Sequence, residues 1–225
     1  MEGDAIILYV YLQSQNSIER IPLTFQPYFK ETLRTKDTGI PGLFYVKIDQ
    51  FNKTTGHDFQ RLLGYFIRNK ANKLVIDLRG NGGGPPLAAR HIASYLLPPA
   101  TELFYFKRKN RKKIMLHTFP SPIQFTGRLA LLIDNKTGSA SELFAGTMQS
   151  LQRAFVAGSP SAGKTFLKSL YTFSDGSLLM LVTSPAYMYN GTRYNTSGIQ
   201  PNYTLNEDDR LFKQLNDFFE IFYEE

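Results

Sequence analysis

The sequence predicts an α/β fold built on a mixed sheet and preceded by a short β segment, and three observations carry that reading. Apolar runs at 43–48, 74–78, 129–133 and 154–157 have the length and composition of buried strands. Residues 57–70, 87–97 and 141–151, which fall between them, read as helices. Strands and helices therefore alternate, which is the order of an α/β domain.

Residues 5–12 set Ala5, Ile7, Tyr9 and Tyr11 against Ile6, Leu8, Val10 and Leu12. With both sets apolar, this reads as a strand buried on both sides. A second extended piece at 21–25 follows a polar turn, and 28–42 is a polar connection punctuated by Gly and Pro. Within 57–70, Phe59, Leu62, Leu63, Phe66 and Ile67 recur at helical spacing. Pro85 and Pro86 suit the first turn of the helix over 87–97. Residues 165–173 and 177–183 flank Asp175 and Gly176, the signature of a β-hairpin. Leu211, Phe212, Leu215, Phe218, Phe219 and Phe222 form an apolar helical stripe behind Asn206 as cap, with Asp209 three positions later. The chain thus divides into an N-terminal β segment at 1–30 and a core at 31–225.

Bulk chemistry narrows the function. The 42% hydrophobic and 14% aromatic content supports a packed core rather than disorder. No cysteine is present, which excludes disulfides, zinc–thiolate sites and a thiol nucleophile. His57, His91 and His117 lie far apart without zinc-hydrolase spacing, so no metal or other cofactor is expected. They are also the sole candidates for a histidine base, and each reads better as an ordinary helix or surface residue. No apolar run approaches the ~20 residues of a membrane span. The acidic start, Met1-Glu2-Gly3-Asp4, lacks the basic region of a signal peptide.

The net charge of +7 raises the question of nucleic acid. Its densest part, Lys107, Arg108, Lys109, Arg111, Lys112 and Lys113, sits between strand-like runs and reads as a solvated hairpin tip. A polyanion or membrane-surface contact is the alternative there, but no nucleic-acid motif accompanies it. Asn-x-Ser/Thr sequons at Asn52, Asn135, Asn190, Asn195 and Asn202 read as turn residues.

Three segments carry chemistry. The strand 129–133 runs through a small-residue turn into a helix, which places Ser139 beside unpaired amides and a positive dipole end. The bland alternative is a helix cap, to which Ser141 is suited. The strand 74–78 runs into Gly80, Asn81, Gly82, Gly83 and Gly84, whose backbone can approach a ligand and present amides to negative charge.

The third segment, Gly158 to Thr165, matches the phosphate-cradling pattern G-x-x-x-x-G-K-[ST] letter for letter. That motif works only where a helix begins at the Lys-Thr pair, and residues 165–173 look β-rich instead. The lysine has another use. An amine acts as base where burial favours its neutral form, and Lys164, between Gly163 and an apolar strand, suits that role toward a hydroxyl nucleophile.

Taken together, the strings LVIDLRGNGGG (74–84), LLIDNKTGSASELFAGTMQS (131–150), AFVAGSPSAGKT (154–165) and FSDGSLLMLVTSPAYMYNGTRYNTSGIQPN (173–202) resemble the C-terminal (tail-specific) processing peptidases. The resemblance covers residues 42–205 and includes the interval from Ser139 to Lys164. It implies a crotonase/ClpP-like ββα core and a serine endopeptidase acting on polypeptide tails or unfolded segments. Ser139 is then the acyl-forming nucleophile, Lys164 its base, and the amides of Ala140 and Gly83 the oxyanion hole. Glu142 reads as helix-capping support.

The chain departs from that pattern at Ser150, Ser159, Lys168 and Asn202, each of which bears on how Lys164 is oriented or neutralised. The family's PDZ-like module does not fit in the opening residues, and 1–30 resembles its end or a remnant. The family also implies export from the cytoplasm. The competing readings are a peptide-binding relative without catalysis, a crotonase-like acyl-thioester enzyme and a nucleotide binder at Gly158 to Thr165. The last has a direct test. A nucleotide at 100 times its Kd stabilises its folded host by about 2.7 kcal/mol, so saturating Mg–ATP or Mg–GTP is expected to leave the melting temperature unchanged. A rise of several degrees would restore that reading.

Overall fold

Four apolar runs become the middle of a six-stranded sheet in the computed structural model, which describes residues 5–24, 31–107, 112–205 and 211–224. Its strands are β1 (Ala5–Leu12), β2 (Ser17–Thr24), β3 (Leu33–Thr35), β4 (Leu43–Ile48), β5 (Lys73–Asp77), β6 (Glu102–Phe106), β7 (Ile114–His117), β8 (Arg128–Ile133), β9 (Phe155–Gly158), β10 (Phe166–Thr172), β11 (Leu178–Met188) and β12 (Tyr203–Thr204). The helices are α1 (Thr55–Arg68), α2 (Pro86–Ser94), α3 (Ala140–Ser150) and α4 (Leu211–Glu224). Contacts separate Met1–Glu31 from Thr32–Glu225.

In the second unit the large sheet runs β12-β9-β8-β5-β4-β3, parallel from β12 to β4 and antiparallel at β3. Alternate residues serve opposite faces, as strand geometry requires. On β8, Leu129, Leu131 and Ile133 join Phe59, Leu63, Ile92, Leu143 and Met148 in one core. Ala130 and Leu132 join Leu215 and Phe219 of α4 in another. Both faces are buried, which is why these strands read as continuous apolar runs. A second sheet, β10-β11-β6-β7, is antiparallel throughout.

Parallel pairing has one consequence for chemistry. β5, β8 and β9 are neighbours running the same way, so Asp77, Ile133 and Gly158 end along one edge. The loops that leave them, 78–85, 134–139 and 159–165, are the three segments that carry chemistry. The carboxyl edge of a parallel sheet is where such folds place ligands.

Some expectations change. β1 and β2 form an antiparallel hairpin, but Tyr9 is 63% and Ile18 66% exposed, so the strand at 5–12 is not buried on both sides within its unit. Residues 28–42 contain β3, a short edge strand. Lys164 leads into β10, an antiparallel strand, so the helix that a phosphate cradle needs is not there. The outer half of the β10–β11 hairpin, from Leu170 to Val182, is exposed. β6 and β7 form the hairpin expected around the basic tip, whose residues 108–111 lie outside the described residues. The cap at Asn206 and Asp209 also lies outside them, while Leu215 and Phe219 are fully buried as the stripe required. No helix among the described residues is long and apolar enough to cross a membrane.

Phe155 anchors the α4 face. It is fully buried and meets Tyr203, Phe218 and Phe219 edge-on, at centroid distances of 5.6, 6.4 and 5.0 Å. Phe155→Ala is expected to cost about 3–5 kcal/mol in chemical denaturation; a loss below about 1 kcal/mol would show that α4 does not depend on this contact.

Candidate active site

The turn that leads from β8 into α3 is held from three directions. Asp134 accepts the N–H groups of Lys136 and Thr137 within the turn, and that of Gly80 from the glycine segment, at 2.9–3.0 Å. Thr137 donates its hydroxyl to the Leu78 carbonyl at 2.9 Å, and its own carbonyl accepts the Ala162 amide at 2.9 Å. The Gly138 amide donates to the Asn81 carbonyl at 3.0 Å. Loops from β5, β8 and β9 are thus stitched together one residue before Ser139.

Ser139 itself has φ 54° and ψ −120°, a left-handed backbone that a non-glycine residue adopts at a cost of ~1–3 kcal/mol. Such strain persists where the surroundings over-determine it. Ser139 occupies the N-cap of α3, and Ala140 is the first helical residue. The helix therefore starts two residues earlier than a cap at Ser141 would set it. Ser141 is fully buried, and its Oγ has no hydrogen-bond partner among the described residues. The Ala140 amide is likewise uncommitted among the described residues, as expected for the first turn of a helix.

The glycine segment lies against this turn. A Cβ on Gly83 would stand 2.7 Å from the Gly138 carbonyl oxygen, 2.8 Å from Ser139 Cβ and 2.9 Å from the Ala140 nitrogen. Only glycine permits that approach, and at φ 107° its backbone also favours glycine. The Gly83 amide is not free, however: it donates to Asn81 Oδ1 at 2.9 Å. Asn81 is fully buried and also donates its side-chain amide to the Ile48 carbonyl at 2.9 Å. This asparagine holds the whole glycine turn, a role not assigned to it from sequence. Asparagine's habit of bonding its own backbone two residues on was the available signal.

Beneath the segment, Asp77 is fully buried at the end of β5. It accepts the Tyr45 hydroxyl at 2.7 Å and the Arg79 guanidinium at 2.7–3.1 Å. Burial, with Asp77 alongside, pushes the Tyr45 hydroxyl well above its ordinary value; the hydrogen bond to Asp77 raises Arg79. The pair braces the strand end from which the glycine turn departs.

Glu142 joins the third loop to the serine turn. Its carboxylate is fully buried. Oε2 accepts the Ser139 amide at 2.8 Å and the Lys164 amide at 2.8 Å. The two nitrogens are thus no further apart than twice that distance. Oε1 accepts the Ser161 hydroxyl at 2.7 Å and the Gly163 amide at 2.6 Å. Ser161 Oγ in turn accepts the Ile199 amide at 2.7 Å. Gly163, at φ 71°, packs so closely on the Thr196 carbonyl that no side chain fits there.

The structure thus brings Ser139, Ala140, Gly83 and the Lys164 backbone together at one edge. It does not bury the Lys164 side chain, which is exposed, and no hydrogen bond joins its Nζ to Ser139 Oγ among the described residues. The buried amine anticipated from its apolar neighbours is corrected: Gly163 turns the chain so that the stem leaves the core. Of the four departures from the family pattern, Ser150 is half-buried at the end of α3. Asn202 is structural, its side chain accepting the Val156 amide at 2.8 Å and its amide donating to the Val156 carbonyl at 2.7 Å. Ser159 and Lys168 are exposed. The histidines serve elsewhere: His57 and His91 meet edge-to-face at 6.1 Å, and His117 faces Glu102 at 3.6 Å.

A strained serine at a helix start, a glycine turn against the following amide and a lysine loop tied to the serine turn through Glu142 meet at the carboxyl edge of a parallel sheet. The profile of peptidase family S41 matches residues 42–205, and the chain belongs to that family. It is 28% identical over 165 residues to carboxyl-terminal-processing peptidase 2, chloroplastic, of Arabidopsis thaliana, covering 73% of this chain and 32% of that protein. It is 30% identical over 132 residues to a carboxyl-terminal-processing protease of Synechocystis, covering 59% and 30%. The chain thus spans about a third of the length of these curated relatives. Among solved structures, the photosystem II D1 C-terminal processing protease superposes with a TM-score of 0.71 at 21% identity, over 91% of this chain and 56% of that one. Mature CPAF in complex with lactacystin gives 0.66 at 14% identity, over 98% and 55%. These likenesses show a shared fold.

Asp134 supplies a pH test of the scaffold. Its burial works against the charged carboxylate, but the donors from Gly80, Lys136 and Thr137 outweigh that and hold it below the ordinary range. Unfolding restores a value near ~3.9. Its charge therefore stabilises the fold above that pH, and the contribution is lost as pH falls through the depressed folded value. In thermal melts, Asp134→Asn is expected to lie furthest below wild type near neutral pH, with the gap closing in acid. A gap independent of pH would contradict this.

Proposed function

We propose that this chain is the catalytic core of a serine endopeptidase that cleaves polypeptide tails or unfolded segments, with Ser139 as nucleophile and Lys164 as general base. The observation that carries the reading is the single Glu142 oxygen shared by the Ser139 and Lys164 amides. It supports a pairing of the two residues across the sequence interval between them.

In this reading Ser139 Oγ attacks the scissile carbonyl carbon and its proton passes to Lys164 Nζ. The carbonyl oxygen becomes an oxyanion that accepts the Ala140 amide, at the positive end of α3. Gly83 is the second donor, and its amide, bound to Asn81 in this conformation, is shared with or released to the oxyanion. The tetrahedral adduct expels the amine, which takes the proton from Lys164. Water, deprotonated by the same lysine, then hydrolyses the acyl-enzyme. The exposed Lys164 amine calls for a bound peptide to cover it and exclude water.

The remaining assignments belong to the same proposal. The core is of the crotonase/ClpP-like ββα kind, residues 1–30 are the end or remnant of a PDZ-like module, and the protein acts outside the cytoplasm. The exposure of Lys164 favours one second reading, a peptide-binding relative that does not cut.

Intact-protein mass spectrometry with a fluorophosphonate decides between them. Wild type is expected to gain one phosphonyl adduct, Ser139→Ala none, and Lys164→Ala an adduct formed far more slowly. Peptide turnover is expected to fall by at least about 1,000-fold in both variants. Lys164→Arg does not rescue, because guanidinium stays protonated. An unreactive wild type would favour the peptide-binding relative; an active Lys164→Arg protein would remove lysine from the role of base.

A further inference from the structure

Glu142 accepts four hydrogen bonds, and all four partners are donors: the amides of Ser139, Gly163 and Lys164 and the hydroxyl of Ser161. Capping of α3 accounts for the first alone. The other three come from a loop 19 to 22 residues further along the chain. A fully buried carboxylate is costly unless every lone pair is used. Only the ionised carboxylate matches the set, because it is the one side-chain group of this shape with two oxygens that both accept and neither donates.

We propose that Glu142 is a positioning residue for hydrolysis, whose ionised carboxylate sets the distance between the nucleophile turn and the base loop. The proposal rests on the assignment of Ser139 as nucleophile and Lys164 as base. The two oxygens of Glu142 divide the work. Oε2 registers Ser139 and Lys164 to one another through their backbones. Oε1 fastens the base loop to the turn at 195–199, through Ser161, whose hydroxyl also accepts the Ile199 amide. The Lys164 side chain is exposed and has no hydrogen bond or ion pair among the described residues, so the base is aimed by its backbone, and the backbone is held by Glu142. A displacement of about 1 Å in such a site costs on the order of 100-fold in rate.

Glu142→Gln is close to isosteric but replaces one acceptor oxygen with an NH2 that faces two donors, whichever way the amide is turned. It is expected to lower kcat about 100-fold on an unstructured peptide, with KM within about threefold. Tyr194→Phe is the control for lost stability of α3, to which Tyr194 bonds from outside the helix. It removes hydrogen bonds to Thr147 and the Leu143 carbonyl and leaves the carboxylate untouched. It is expected to melt earlier with kcat within about threefold of wild type.

A Glu142→Gln protein that keeps wild-type kcat, or whose kcat falls no further than that of Tyr194→Phe, overturns the proposal. Should Glu142→Gln not fold, Ser161→Ala removes one of the four donors and lets the carboxylate turn. A kcat reduced about tenfold at constant KM supports the proposal, and an unchanged kcat overturns it. The fluorophosphonate adduct at Ser139 of wild type reports separately on the peptidase reading. If it does not form, amide hydrogen exchange still reads the clamp. Ser139 and Lys164 are expected to be protected together in wild type and to lose protection together in the variant; independent exchange in wild type overturns it.

Discussion

One carboxylate oxygen, accepting an N–H from Ser139 and another from Lys164, is the constraint on which the rest of the site depends. The parallel sheet delivers the ends of β5, β8 and β9 to a common edge, but it fixes only where the loops start. Loops leaving a shared edge have their own freedom. Ordering their backbones costs about 1–2 kcal/mol per residue, and something must offset that. Here polar groups do so: the buried Thr137, Asn81 and Glu142 and the half-buried Asp134 each bond to a loop other than their own. The bonds of Thr137 and Glu142 are buried away from water, where they count for more.

That network also explains how a strained serine persists. The left-handed backbone of Ser139 is trapped between Gly138, tied to Asn81, and its own amide, tied to Glu142. The result is a first helical amide, at Ala140, without an acceptor among the described residues, beside a hydroxyl residue and a glycine wall. The proposed oxyanion site would draw on these backbone groups rather than on charged side chains. Lys164 is the least settled part of the site: its main chain is fixed and its side chain is exposed.

Much of this was legible in the sequence, for physical reasons. β4, β5, β8 and β9 are buried on both faces, so each reads as a short unbroken apolar run with no competing helical period. Likewise, Asp175 and Gly176 announced the β10–β11 hairpin, and that hairpin disposed of the phosphate-binding interpretation of Gly158 to Thr165. β3 was missed because three residues at a sheet edge, two of them exposed, carry no pattern. The double burial expected of β1 failed for a different reason. Two apolar faces show that a strand can be covered, not that its own unit covers it.

The site was legible in its residue types and not in its bonds. Ser139 and the glycine run announce themselves by local chemistry. Glu142 looked like a cap because sequence shows only its near neighbours, and three of its four partners come from beyond the next strand. Asn81 was hidden among glycines whose conformational freedom drew the attention. The exposure of Lys164 depends on how Gly163 turns at φ 71°, which spacing does not reveal.

The central claim is that these backbones present Ser139 to an oxyanion site with Lys164 as its proton acceptor. A crystal structure of the fluorophosphonate-treated protein tests it most directly. The expected result is phosphorus bonded to Ser139 Oγ, a phosphonyl oxygen about 2.7–3.1 Å from the Ala140 nitrogen, and Lys164 Nζ turned in from solvent toward Oγ. Phosphorus on another residue, or an oxygen facing away from Ala140 with Lys164 still in solvent, would contradict it.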